Sequence, residues 1–147
     1  MKLLILSLLI ISNIALADGS LVGSYANYKI QSGSLNGKVK VSITSYDSAN
    51  DTYEQVSETT ASDGQVFTDT EILPAADLNT PEENEMLLML CESDLGGTLK
   101  KIKVAAGEFR TCLLEDDGLS LYLAKVPFGY IKIDSIDEKI ELLGFSY

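Results

Sequence analysis

The two cysteines, Cys91 and Cys112, carry the most distinctive side-chain chemistry in this chain. The sequence contains no histidine, so the cysteines cannot form an ordinary zinc site, and no imidazole is available to activate a thiolate. They also lack the CxxC spacing of redox proteins. Two thiols in an exported protein most often pair, so we predict a structural disulfide that stabilises the fold by about 3 kcal/mol.

The acidic side chains offer the other candidate chemistry. Asp116 and Asp117 are adjacent, but Asp117-Gly118 is typical of a hairpin turn. Segment 47–51 lacks the spacing, the glycine and the terminal glutamate of a calcium-binding EF-hand loop. We therefore predict no catalytic residue, no metal ligand and no cofactor, hence a protein that is not an enzyme. Two acids distant in sequence that converge as a glycosidase pair are the catalytic alternative that remains open.

The charge balance limits the partners. The chain has 22 acidic and 11 basic residues and a formal net charge of −11. This charge repels the phosphates of nucleic acids and anionic membrane surfaces, so we predict no nucleic-acid binding. It favours solubility and would suit a basic partner.

The first 17 residues have the pattern of a signal peptide. Lys2 precedes an apolar run at 3–14, and Ala15-Leu16-Ala17 is a small-x-small cleavage site. No cysteine follows that site, so lipidation is not indicated. We predict cleavage after Ala17 and a periplasmic or secreted chain, 18–147, without a transmembrane segment. A retained anchor is the alternative.

Residues 18–147 predict one β-rich domain with one helix. The helix is expected at about 81–94, because Thr80 can cap it, Pro81 suits its first turn and Glu83 completes a capping box. The apolar run 86–91 predicts that this helix is buried. Asn36-Gly37 is expected to be a hairpin turn. Alternating apolar and polar residues predict strands at 37–46 and 119–126. Tyr25, Tyr28 and Ile30 suggest a first strand in the mixed pattern at 21–30, and turn-bounded stretches predict strands at 52–61, 65–73, 99–105, 109–115, 130–134 and 139–146.

These elements predict an α+β fold, in which a curved, half-barrel-like antiparallel sheet of about nine strands packs on one main helix. Gly107, Pro127 and Gly129 are expected to shape turns or bends between strands. If the concave face holds a ligand, the side chains expected to face it are Met86, Met89, Leu121 and Phe128.

About the last third of the chain resembles a known group of proteins. The matching residues are Cys91, Gly96-Gly97, 103–109 with Cys112, 126–132, Glu141-Leu142 and Gly144. This pattern is similar to the "aGtF…C" and "vPyG-vvK" pattern of uncharacterised bacterial periplasmic proteins, with Glu108 standing where threonine is usual. More distantly, it resembles the LolA/LolB-like half-barrels. That resemblance implies a curved sheet, closed by helices, that shields the acyl chains of lipoproteins.

Two functional hypotheses follow. The first is a carrier or chaperone that holds an apolar ligand, an acyl group or a lipoprotein on its concave face. The second is an acidic accessory or inhibitor protein with a fully packed core, which binds another envelope protein through its surface. A cavity between helix and sheet would favour the first.

Overall fold

The computed structural model describes residues 19–147; the predicted signal peptide at 1–17 lies outside this range. The described chain folds into one nine-stranded antiparallel sheet with one α-helix, which confirms the predicted fold class. The strands are β1 (Tyr25–Ser32), β2 (Leu35–Asp47), β3 (Thr52–Ala61), β4 (Val66–Pro74), β5 (Thr98–Val104), β6 (Gly107–Asp116), β7 (Leu119–Leu123), β8 (Tyr130–Asp134) and β9 (Glu138–Ser146). A 3-10 helix (Ala75–Asp77) and α1 (Pro81–Met89) connect β4 to β5.

The strand order is β4-β3-β2-β1-β9-β8-β7-β6-β5. Two meanders of consecutive strands therefore meet where β1 pairs with β9. The segment containing α1 carries the chain from one edge of the sheet to the other. Residues 19–147 contain no helix with the length and apolar character needed to cross a membrane.

The sheet is strongly curved on its C-terminal side. The backbone N–H of Ala106, in the turn between β5 and β6, donates a 3.3 Å hydrogen bond to the carbonyl of Leu142 in β9. β5 and β9 stand at opposite ends of the C-terminal five strands, so this bond requires those strands to curl. Register shifts that interrupt the β1–β9 and β7–β8 pairings add local bending.

The first hairpin turns three residues earlier than Asn36-Gly37 predicts. The turn is Gly33-Ser34, Ser32 pairs with Leu35, and Gly33 adopts a left-handed φ of 57°. Gly37 lies within β2, where a Cβ atom would collide with the carbonyl oxygen of Thr60 on β3. The glycine at 37 therefore serves a close approach between strands.

The helix begins as predicted and ends earlier than predicted. The Thr80 N–H donates to Glu83 Oε2 at 2.7 Å and the Glu83 N–H donates to Thr80 Oγ1 at 3.3 Å, which forms the capping box. The helix ends at Met89, and residues 90–94 are turns.

The prediction of a buried helix is wrong. Only Asn84 and Leu88 of α1 are buried, and Met89 is 74% exposed. The physical reason is that α1 contacts the sheet along one side only, at β6 and β7. Met89 faces solvent because no other element of residues 19–147 packs on that side of the helix.

Buried side chains form three clusters. The largest lies between the C-terminal strands and β1 and contains Ala26, Tyr28, Val104, Ala124, Val126, Ile131 and Leu142. A second contains Leu21, Ile43, Tyr53 and Ala75, and a third contains Leu88, Cys91 and Cys112. Two of the three clusters therefore draw on the strands that follow the helix.

Candidate functional site

The two cysteines form the predicted disulfide. Cys91, just after α1, is bonded to Cys112 in β6, and their Cα atoms are 5.5 Å apart. Both are fully buried and pack with Leu88, with Leu95, Leu99, Leu114 and Leu123 around them. Solvent has no access to either sulfur, so the bond joins the helix segment to the sheet and offers no exposed thiol chemistry.

Gly97 makes room for that disulfide. A Cβ atom at this position would lie 2.6 Å from Cys112 Sγ and 2.9 Å from Cys91 Sγ. Gly96 and Gly97 follow α1, which ends at Met89. The pairing of Cys91 with Cys112 is the signal that could have revealed the role of Gly97.

Asn84 is a buried polar residue that the sequence analysis did not single out. Its Nδ2 atom donates to the carbonyl of Val126 at 3.0 Å, and its Oδ1 atom accepts from Asn79 Nδ2 at 3.2 Å. Sequence could have found it only through its place on the sheet-facing side of α1, one turn before Leu88. The contact ties the helix to the loop that connects β7 and β8.

The predicted turn residues lie between strands. Gly129 adopts a φ of 77°, and a Cβ atom there would lie 2.9 Å from Asn84 Oδ1. Phe128, beside Pro127, has a φ of 64°, a left-handed conformation that a bulky side chain seldom adopts. Gly107, with a φ of 138°, opens β6. These glycines are positions where a side chain would be strained.

The four predicted ligand-facing residues do not line one cavity. Met86 and Leu121 are partly buried, and Phe128 packs against two of the core clusters. Met89 lines an open groove, whereas Phe128 lines a separate, smaller cavity. The structure therefore does not bring these side chains together.

The groove beside α1 has a volume of about 440 Å³. Its residues are Glu85, Leu88, Met89, Glu108, Phe109, Arg110 and Lys125. Lys125 Nζ lies 2.5 Å from Glu85 Oε2, and this hydrogen bond raises the pKa of Lys125. The groove therefore has an apolar floor and a charged rim.

A second, much smaller cavity lies under Phe128. Its volume is about 20 Å³, close to the space of one water molecule. Ser24 lines it, and the Ser24 hydroxyl is buried without a hydrogen-bond partner among the described residues. This space is too small for an organic ligand.

Three tyrosines have displaced titrations. Burial raises the pKa of Tyr28, whose ring stacks on Tyr130 at 4.9 Å and whose hydroxyl donates to the Tyr130 carbonyl at 3.3 Å. Burial also raises the pKa of Tyr130, and it raises the pKa of Tyr147 to about 12. All three hydroxyls stay protonated near neutral pH, so they act as structural hydrogen-bonding groups rather than as bases.

The acidic turns also have structural geometry. Asp47 accepts hydrogen bonds from Asn50 Nδ2 at 2.6 Å and the Ala49 N–H at 2.9 Å, which lowers its pKa. Asp117 turns the β6–β7 hairpin with a φ of 44°. Residues 19–147 bring no three His, Cys, Asp or Glu side chains together as a group suited to a metal ion.

The most exposed part of the described chain is the hairpin of β3 and β4, residues 52–74, which we call the arm. Every residue from 66 to 72 is exposed, including Val66 (56%), Phe67 (55%) and Ile72 (60%). The arm has five acidic residues and no basic one: Glu54, Glu58, Asp63, Asp69 and Glu71. It therefore combines exposed large apolar side chains with a negative field.

β4 ends the strand order, so one side of it has no neighbouring strand within residues 19–147. The Ala61 N–H donates to the Gln65 carbonyl and the Ala75 N–H to the Asp51 carbonyl, each at 2.9 Å. Since hydrogen-bonded pairs alternate in antiparallel sheets, the intervening residues of β4 direct their N–H and C=O groups outward. These residues are Val66, Thr68, Thr70 and Ile72.

The opposite edge of the sheet has a different character. β5 carries three lysines, Lys100, Lys101 and Lys103, and Lys101 pairs with Glu108 of β6. The chain just beyond β5 is bonded to β9, where the Ala105 N–H donates to Glu141 Oε1 at 3.2 Å. Lysines on an edge strand discourage the approach of another strand, so β5 is the protected edge.

No family model matches the chain, and no curated protein matches its sequence. Among solved structures, the chain is similar in fold to a chain in the crystal structure of MucB in complex with MucA(peri), with a TM-score of 0.52 and 10% sequence identity. The match covers 84% of this chain and 49% of that chain. The chain thus spans about half the length of the matched one, and the likeness shows the fold alone.

Proposed function

We propose that this protein is an exported, non-enzymatic binding protein that acts through contacts with another protein of the cell envelope. The observation that carries the proposal is the arm. It exposes Val66, Phe67 and Ile72, each by more than half of its surface, on a hairpin that no other element of residues 19–147 covers. Exposed apolar side chains surrounded by polar ones are typical of protein interaction sites.

The exposure of the arm costs the fold little stability, because the side chains of the arm that pack in the core lie at its base. There Tyr53 packs with Ile43 and Ala75, and the Tyr53 ring stands 4.8 Å from that of Tyr46. Toward the tip, β4 is held by its pairing with β3 rather than by burial. The apolar side chains there are thus available to a partner.

Two further observations support the envelope setting. The disulfide is of a kind that persists in oxidising compartments such as the periplasm or the extracellular space. The protein of similar fold, MucB, was crystallised with a protein partner, MucA(peri). The signal-peptide pattern at 1–17 points to the same location.

A second candidate is the carrier of an acyl group or a lipoprotein, which the LolA/LolB-like resemblance implies. The observation in its favour is the groove, which is lined by the apolar side chains of Leu88, Met89 and Phe109. Its volume of about 440 Å³ lies within the range of small-molecule sites and would accommodate about one acyl chain rather than several. The clusters between the helix and the sheet are otherwise filled by side chains.

Site-specific photocrosslinking distinguishes the two candidates. A photoreactive benzoylphenylalanine is placed at Phe67 on the arm or at Met89 in the groove, in cells that export the full chain. We expect residue 67 to capture one defined envelope protein and residue 89 to capture none. A matched probe at Lys103, exposed on the opposite edge, is the control. An acyl adduct at residue 89 without a protein adduct at residue 67 would reject protein binding through the arm and support the carrier function.

A further inference from the structure

We propose that the open edge of β4 binds an extended, basic segment of the partner as an added strand. This inference rests on the proposed function, because it assumes a protein partner, and it specifies how that partner is held. An added strand would bond to the outward N–H and C=O groups of β4 and extend the sheet to ten strands.

The backbone of β4 is suited to such an addition. Its outward groups belong to Val66, Thr68, Thr70 and Ile72, whose neighbours along the strand bond to β3. β4 carries no proline before its last residue, Pro74, so each outward position retains an N–H donor. The edge is therefore continuous along the exposed part of the arm.

One side chain already covers part of this edge. Asp69 Oδ1 accepts a 3.0 Å hydrogen bond from the backbone N–H of Thr70. This local bond agrees with an outward direction for the Thr70 N–H. The Asp69 carboxylate satisfies the Thr70 N–H in the unbound protein. The carbonyl of an added strand can replace Asp69 as the acceptor, so the number of hydrogen bonds is unchanged.

The charge of the arm specifies the chemistry of the segment. Asp69 is opposite Ser57 and Glu71 is opposite Gln55, so these two acids lie on one face of the arm. Glu54 is opposite Ile72 and Glu58 is opposite Thr68, which places these two on the other face. Because both faces are acidic, a partner strand gains from lysine or arginine side chains on both of its faces.

The apolar side chains add a second requirement. Val66 and Ile72 lie on the face with Glu54 and Glu58, while Phe67 lies on the face with Asp69 and Glu71. Each face thus offers an apolar contact beside the acids. The segment that fits best is extended and contains basic residues interspersed with β-branched or aromatic ones.

The test uses a fluorescent peptide, Lys-Val-Lys-Lys-Thr-Lys-Val-Lys-Thr, whose binding to the purified mature protein is followed by anisotropy. Thr70→Pro removes one outward N–H, and Thr70→Ala is the matched control that keeps it. We expect Thr70→Pro to weaken binding roughly tenfold and Thr70→Ala to change it less than about twofold. Circular dichroism verifies that both variants are folded.

Two peptide controls keep the test independent of the variants. The same peptide with N-methyl groups on alternate backbone nitrogens should lose binding to the wild-type protein, because it cannot bond along the edge. A version with glutamate in place of lysine should also fail to bind. Equal binding of the N-methylated peptide, or of Thr70→Pro, would overturn strand addition and leave only charge attraction.

A further outcome would identify another occupant. If the protein self-associates in sedimentation experiments and Lys100→Glu abolishes that association, the edge pairs with β5 of a second copy, and the proposal is overturned.

Failure of the inference is distinct from failure of the proposed function. A protein adduct at residue 67 that persists in Thr70→Pro would retain the binding function and reject the strand.

Discussion

The strand β6 and the strand β4 are both members of antiparallel hairpins, yet their surroundings differ. β6 contains three consecutive buried residues, Thr111, Cys112 and Leu113, so both of its faces are covered. β4 has seven consecutive exposed residues, 66–72, so neither of its faces is covered. The helix, the disulfide and the curl of the C-terminal strands account for the cover of β6.

This difference between β6 and β4 indicates that stability and binding depend on different parts of the molecule. Burial of apolar surface stabilises a fold by about 25 cal/mol per Å², and the described chain concentrates that burial around β1 and the strands after the helix. The arm adds little burial, so substitutions there are expected to affect binding without unfolding the protein. The predictions below test this separation, from the largest expected effect to the smallest.

Removal of the disulfide should have the largest effect on the covered half. Replacing both Cys91 and Cys112 with alanine is expected to lower the free energy of unfolding by about 3 kcal/mol, because the unfolded chain loses its cross-link. Guanidinium denaturation of the mature protein measures this decrease in the free energy of unfolding. An unchanged midpoint would show that the bond does not stabilise this half.

Asn84→Ala should destabilise the protein by about 2 kcal/mol, because it removes a buried hydrogen bond and leaves a cavity between α1 and the β7–β8 loop. The same denaturation experiment measures it. Glu82→Ala, on the exposed part of the helix, is the control and should have little effect. Equal behaviour of the two variants would contradict the role of Asn84.

The Tyr28 hydroxyl should make stability depend on alkaline pH. Burial raises its pKa above the ordinary value of 10.0, so the unfolded chain releases this proton at lower pH than the folded chain. The contribution of Tyr28 to stability is therefore constant below about pH 10 and decreases above it. Tyr28→Phe should cost about 1 kcal/mol at neutral pH and make the alkaline decline shallower. Urea denaturation at neutral and alkaline pH measures both, and identical slopes would refute the assignment.

Substitutions in the arm should have the smallest effect on stability. Phe67→Ser and Ile72→Thr are each expected to change the free energy of unfolding by less than about 0.5 kcal/mol, because both side chains are exposed. They should nevertheless weaken binding of the basic peptide. A loss of stability similar to that of Asn84→Ala would mean that the arm is packed, which would remove the contrast with β6.

Much of the fold was predictable because it depends on neighbouring residues. Turn-bounded apolar and threonine-rich stretches, with clear alternation at 37–46 and 119–126, predicted all nine strands, and the capping box of Thr80 and Glu83 predicted the start of α1. Two predictions were wrong because they depend on tertiary contacts. Gly37 serves the approach of β3 rather than a turn, and Met89 is exposed because no element of the described residues packs on the outer side of the helix.

The candidate site was predictable only in part. The acidity of the arm and its strand character are visible in the sequence, as is the pairing of Cys91 with Cys112. The exposure of β4 was not visible, because its apolar residues Val66, Phe67 and Ile72 are as typical of a covered strand as of an uncovered one. From the sequence we expected a binding site on the concave face, with Phe128 among its residues. The structure instead favours a site at Phe67 and the β4 edge.

The sequence by itself determined the strands, the start of the helix, the antiparallel hairpins and the disulfide, since these follow from residue types and short spacings. Only the tertiary structure decided that β9 pairs with β1, that Asn84 anchors the helix to the β7–β8 loop and that β4 is left as an open edge. The reason is physical: pairings between distant strands depend on how the whole chain buries its apolar surface. No local pattern encodes which edge remains uncovered once that burial is complete.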